Sequence, residues 1–187
     1  MCFLQALPNC KFHTMKSEKI SVQIPIKRYL KNYLVSLTNS KGEKITIDAK
    51  SDFCLLFYSM IEVGNGVPAA HVPSDSLLTI EAPLRDKLGK VFDCRHVGPT
   101  INRTNIERFN RFLDTLMRKE LYDRLDLIEE RGENKRKSGR MKAEIMSFLE
   151  KYQIDHQDLS YETLIKDYYR KKKRGESVMK KIIQING

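Results

Sequence analysis

Alternation of apolar and polar positions begins at Lys19. Ile20, Val22, Ile24 and Ile26 alternate with Ser21, Gln23 and Pro25, the period of two that gives a strand one buried and one wet face. Pro25 lacks a backbone N–H, so this strand is expected at a sheet edge or ends there. From Lys27 the spacing changes. Tyr29 or Leu30, Tyr33 or Leu34, and Leu37 recur at helical intervals, which predicts a short helix carrying a small basic patch. Asn39-Ser40-Lys41-Gly42 is turn chemistry, and residues 44–48 read as a second strand.

Ser51 or Asp52 can cap the next segment, residues 53–62, whose near-continuous apolar run from Phe53 to Tyr58 predicts a buried helix. A core strand stays open as the alternative, because six apolar residues in a row carry no clear period. Residues 64–76 hold Gly64, Gly66, Pro68 and Pro73 and read as a loop. Residues 77–80 add a third strand or open a helix before Pro83, and Gly89, Gly98 and Pro99 keep the next twenty residues irregular.

At about residue 100 the period of two gives way to a helical one. Asn102 or Thr104 can cap a helix whose stripe is Ile106, Phe109, Leu113, Leu116, Met117, Leu121, Leu125 and Ile128, at three- and four-residue spacing. Glu107–Arg111 and Asp114–Arg118 are expected as supporting i,i+4 pairs. This helix, residues 103–131, is expected to join two parts of the chain. The stripe could also exceed what a small N-terminal core covers, which makes a homodimer through it an expectation, with Glu120 interrupting the seam. Beyond a polar hinge at 133–139 a helical pair is written. Met141, Ile145, Phe148, Leu149 and Tyr152 line its first member; Ser160 caps the second, with Tyr161, Leu164, Ile165 and Tyr168 inward. The second is expected to finish in the run Arg170 to Gly175, with a looser segment closing the chain.

The fold class is therefore α+β: a small sheet with flanking helices in the N-terminal part, and a mostly helical C-terminal part. The expected organisation is a disordered tail at 1–18, a small α+β domain at 19–100, a connecting helix at 101–132 and a basic helical module at 133–187.

Charge changes the picture, because it is unevenly spread. The chain has 34 Lys and Arg against 24 Asp and Glu, or +10, divided as 13 against 9 in residues 1–100, 6 against 7 in 101–130 and 15 against 8 in 131–187. An excess concentrated in the last third favours a nucleic-acid partner over an acidic small molecule. Lys135, Arg136, Lys137, Arg140 and Lys142 precede the first helix of the pair, and Lys166, Arg170, Lys171, Lys172, Lys173 and Arg174 lie on or beyond the second. Antiparallel packing would bring both clusters to one end, where a duplex backbone could release counterions to them. Tyr168, Tyr169, Asn134 and Ser138 could add contacts. Cations in a last helical turn also complement the helix dipole with no ligand, which accounts for one or two of them but poorly for four in succession.

Catalytic chemistry is thin by comparison. Cys2, Cys10, Cys54 and Cys94 form no CxxC pair, and His13, His71, His96 and His156 have no ligand spacing, so no metal or cofactor is expected. Reduced thiols fit a cytoplasmic protein. The carboxylate pairs Asp48 and Asp52, Asp123 and Asp126, and Glu129 and Glu130 read as surface, and a metal-dependent nuclease would need several carboxylates converging on one ion. The opening residues lack the basic leader of an export signal, and no spare apolar face points to membrane binding.

The stretch from Ser138 to Arg174, above all residues 158–170 (Asp158-Leu159-Ser160-Tyr161 through Tyr168-Tyr169-Arg170), resembles uncharacterised small proteins of Bacteroidetes genomes and their prophages. The resemblance covers about one fifth of the chain, carries over no site residues, and implies a mobile-element or regulatory role. The expected function is non-enzymatic binding of double-stranded DNA, regulatory or accessory. A scaffolding or assembly protein is the main alternative, and a nuclease the second.

Overall fold

The computed structural model describes residues 19–38, 40, 44–63, 76–83, 99–130 and 137–185. The fold is α+β, with a small sheet and its helices in the N-terminal part and, among the described residues, helices alone from residue 103 onward. The strand at the alternating segment is β1 (Lys19–Ile26), followed by α1 (Arg28–Leu37), β2 (Lys44–Thr46), α2 (Asp52–Met60), β3 (Ile61–Val63), β4 (Ser76–Pro83) and β5 (Pro99–Ile101). Then come α3 (Arg103–Glu130), α4 (Lys137–Lys151) and α5 (Tyr161–Ile185).

The main sheet has the order β1-β4-β2. Ile20, Val22 and Ile24 of β1 stand opposite Ala82, Ile80 and Leu78 of antiparallel β4, while Ile45 of parallel β2 flanks Ile80 from the other side. All seven are buried, so one face of the sheet is continuous core. Pro25 lies on an outer strand, where its missing donor costs no ladder bond between strands on both sides. The segment read as either a short strand or a helix opening is thus the central strand. The region read as irregular supplies β5, which pairs with β3 at Ile61 opposite Ile101. Ser51 caps α2, its hydroxyl accepting from the Cys54 amide at 3.1 Å, and Cys54 is fully buried. The helix alternative therefore holds for 52–60.

Asn102 caps α3, accepting from the Asn105 amide at 2.8 Å. Most of its stripe is covered inside the chain: Ile106, Phe109, Leu113, Met117, Leu121 and Leu125 are at most 1 % exposed. That burial removes most of the apolar surface on which the dimer expectation drew. Leu37 and Leu116, read as inward, are exposed, while Tyr122, outside the expected stripe, is buried. The buried residues form one cluster running from Ile20 to Tyr168, with α3 as its spine.

Side-chain bonds give the directions of the helices around that spine. Lys27, Tyr29 and Tyr33 reach Asn110, Asp114 and Glu120 in turn, so α1 runs parallel to α3. Glu144 meets Arg124 and Tyr152 meets Glu120, so α4 runs antiparallel. Asp167, Tyr168 and Lys172 meet Arg118, Asp126 and Glu129, so α5 runs parallel again. α4 ends in a Schellman arrangement, with Gln153 in the left-handed region (φ 52°) and the Ile154 amide reaching the Leu149 carbonyl at 2.8 Å.

α5 corrects the expected end at Gly175. It runs on to Ile185, because one interior glycine costs a helix only about 1 kcal/mol and no proline comes after it. The expected tail at 1–18, the turn at Asn39 and 41–43, the loops at 64–75 and 84–98, and residues 133–136 of the hinge lie outside the described residues. Residues 137–139, expected in the hinge, open α4 instead, so Lys137, Arg140 and Lys142 lie on that helix and not before it.

Candidate nucleic-acid interface

The basic cluster on α5 is oriented by the apolar residues among which it is interleaved. Leu164 and Tyr168 are buried, and Tyr161 and Ile165 are partly so. At 100° per residue these define an inward face, and Lys166, Arg170 and Lys173, at i, i+4 and i+7, fall opposite it with Arg174 beside them. All four are exposed. Lys166, Lys173 and Arg174 meet no acidic side chain among the described residues, and Arg170 pairs with Asp167 of its own helix at 3.2 Å. Glu162 heads the same face in the first turn, where a carboxylate complements the helix dipole.

Two members of the cluster do something else. Lys171 sets its ammonium 5.0 Å from the centre of the Tyr122 ring, and Lys172 is bonded to Glu129. Both lean on α3. All of residues 171–174 are exposed, but Lys171 and Lys172 also dock on α3. Tyr168, expected to reach a phosphate or base, is buried with its hydroxyl donating to Asp126 at 2.7 Å, so it is not available. Tyr169 is exposed.

The first cluster is described only in part. Lys135, Arg136 and Asn134 lie outside the described residues; Lys137 opens α4, and the side chains of Lys137 and Ser138 are not described. Arg140 and Lys142 are exposed, with the Lys142 ammonium 5.8 Å from the Tyr161 ring centre. The Tyr169 hydroxyl meets the Met141 sulfur at 3.6 Å, and Lys172 meets Glu129 next to the last residue of α3. The start of α4, the end of α3 and residues 169–174 of α5 therefore gather at one end of the bundle.

The carboxylates of α3 hold the molecule together. Asp114 accepts from Tyr29 at 3.0 Å and Arg118 at 2.8 Å, and Arg118 also reaches Asp167 at 2.7 Å. Glu120 accepts from Tyr152 at 2.6 Å, Arg124 at 2.7 Å and Tyr33 at 3.0 Å, joining α1, α3 and α4 through one side chain. Burial pushes the Glu120 carboxyl up, but the Tyr152 and Tyr33 hydroxyls and the Arg124 guanidinium outweigh it and hold it below the usual range. Burial first, and the carboxylate acceptor second, raise the phenols of Tyr29, Tyr33 and Tyr168 well above the ordinary tyrosine value. Glu107 pairs with Arg103 at 2.9 Å, not with the expected Arg111, while the Asp114–Arg118 pair is formed. Asp126 and Glu129, read as solvated surface, dock α5.

Among the described residues no three His, Cys, Asp or Glu side chains are grouped to hold a metal ion, and none of their helices is long and apolar enough to cross a membrane. His156 is exposed; the other histidines, and Cys2, Cys10 and Cys94, lie outside the described residues. An open cavity of about 740 Å³ lies beside the ends of α1 and α4, lined by Asn32, Leu37, Ser40, Lys151 and Gln153 among others. No protein-family model, curated protein or solved structure matches this chain.

Proposed function

We propose that this chain is a non-enzymatic double-stranded-DNA-binding protein with a regulatory or accessory role. The contact surface is the outward face of α5, joined at the same end of the bundle by the start of α4. One observation carries the reading: Lys166, Arg170, Lys173 and Arg174 share an exposed helix face spanning about 12 Å. Cations in such a row can meet successive phosphates and release the counterions condensed on them. The sequence continues with Lys180 and Lys181 further along α5.

Titration with duplex DNA across a range of salt tests it. Affinity is expected to fall steeply with salt, by a log–log slope of about 0.9 per phosphate neutralised. The combined variant Lys166→Gln, Arg170→Gln, Lys173→Gln and Arg174→Gln should flatten that slope by about 3 to 4 units. Absence of duplex binding by the folded protein at low salt overturns the reading. So does an equal loss on neutralising Lys19, Lys27, Lys44 and Lys50, which are exposed in the N-terminal part.

The second reading is a scaffolding or assembly protein that meets another protein through α3. It is favoured by Phe112 and Leu116, which are 44 % and 39 % exposed. Its mark is association that salt barely changes.

A further inference from the structure

We propose that the N-terminal half of α3 carries a second nucleic-acid contact that takes an unpaired strand, so that the chain binds the boundary between single- and double-stranded DNA. This rests on the duplex reading for α5 but draws on different residues. Between Arg103 and Glu130 the sequence has 6 basic residues against 7 acidic ones, a nearly neutral helix by count. Folding sorts them. Glu107 and Asp114, the only acids of α3 before Glu120, are paired with Arg103 and Arg118. Arg108, Arg111 and Lys119 are exposed and meet no acidic side chain among the described residues.

These cations surround an exposed ring. Arg108, Phe112, Thr115 and Lys119 stand at i, i+4, i+7 and i+11, one row along the helix, with Arg111 beside it and Leu116 one turn beyond Phe112. Phe109, Leu113 and Met117 on the opposite side are buried and fix the orientation of the row. A closed duplex offers phosphates to such a surface but no base face to the ring. An unpaired strand offers both, and an aromatic side chain set among cations is how sequence-tolerant single-strand binders hold bases.

Placement ties the two faces together. Arg111, Thr115, Arg118 and Tyr122 form a neighbouring row that runs from this surface to underneath α5, where Arg118 meets Asp167 and Tyr122 meets Lys171. Along the common direction of the two helices, the α5 stripe therefore begins at about the level where the α3 row ends. A strand leaving a duplex held on α5 has the α3 row in front of it.

The test uses the full chain and three labelled probes in an anisotropy titration: a blunt duplex, the same duplex with a single-stranded extension, and the extension alone. The tailed duplex is expected to bind about tenfold more tightly than the blunt one, the scale of one stacked base. Phe112→Ala should abolish that gain and leave blunt-duplex affinity unchanged, Phe112→Tyr should keep it, and circular dichroism should show both variants folded. The joint variant Arg108→Gln, Arg111→Gln and Lys119→Gln should weaken binding of the extension alone and reduce its salt slope. Equal affinity for tailed and blunt duplex overturns this proposal while leaving the duplex reading standing. Failure to bind any probe removes both. If wild-type protein instead self-associates, and Phe112→Ala stops it, the row is a protein contact and the proposal is wrong.

Discussion

Lys171 and Lys172 adjoin Lys173 and Arg174 in a run of five consecutive basic residues from Arg170, yet the two pairs belong to different parts of the molecule. The first lies against Tyr122 and Glu129 of α3; the second faces solvent without an acidic partner among the described residues. Two residues of rotation on a helix separate a docking contact from a candidate ligand contact. A basic run on an amphipathic helix is therefore not one site. The inward pair is tied to stability and the outward pair to binding, and substitutions across α5 should grade from one effect to the other.

The largest effect is expected furthest inward. Leu164→Ala, at a fully buried position, should cost about 3 kcal/mol in urea unfolding and weaken DNA binding only through loss of the folded state. Glu120→Ala should come next, at about 2 kcal/mol, because the Tyr33 and Tyr152 hydroxyls and Arg124 lose a shared acceptor. Its carboxyl also sets an acid limit. A depressed folded-state value contributes stability that is present above the unfolded value and lost as pH falls through the folded one. Wild-type stability should thus decline as pH drops below the ordinary glutamate value of 4.5, and Glu120→Gln should decline less over that range. The raised phenols act at the other end: their contribution is complete below the ordinary value of 10.0 and lost as pH rises beyond it. Unfolding followed by tyrosinate absorbance would show it.

Smaller changes lie further out. Lys171→Gln with Lys172→Gln should destabilise by about 1 kcal/mol or less, since both contacts are partly solvated. Lys173→Gln with Arg174→Gln should leave stability within about 0.5 kcal/mol and reduce the salt slope of duplex binding by about 2 units. A stability loss from the outward pair matching that from the inward pair would erase the distinction between them.

Much of the fold was legible because it rests on periodicity. The alternation at residues 20–26 and the stripe from Ile106 to Leu125 needed only the chain's own hydrophobic pattern and the geometry of strands and helices. The central place of β4 was not legible. Residues 76–83 alternate no better than a helix opening would, and what makes them central is pairing with β1 on one side and β2 on the other, both distant in sequence. The length of α5 was misread from a single local signal, Gly175. The outward α5 stripe was readable in principle, since a helical projection of residues 161–174 separates Lys166, Arg170 and Lys173 from Leu164 and Tyr168.

Glu120 marks where such reading ends. In sequence it interrupts an apolar stripe; in the fold it receives hydroxyls from Tyr33 and Tyr152, residues 87 and 32 positions away. The sequence by itself determined the α+β class, the long central helix, the helical pair and the excess of positive charge in the last third, because propensity, pattern and charge count are properties of neighbouring residues. Tertiary structure alone decided which carboxylates of α3 pair inward and which cations remain outside. Hydrogen bonds and ion pairs of that kind depend on distances of a few ångströms between helices, and those are set only when the whole core packs.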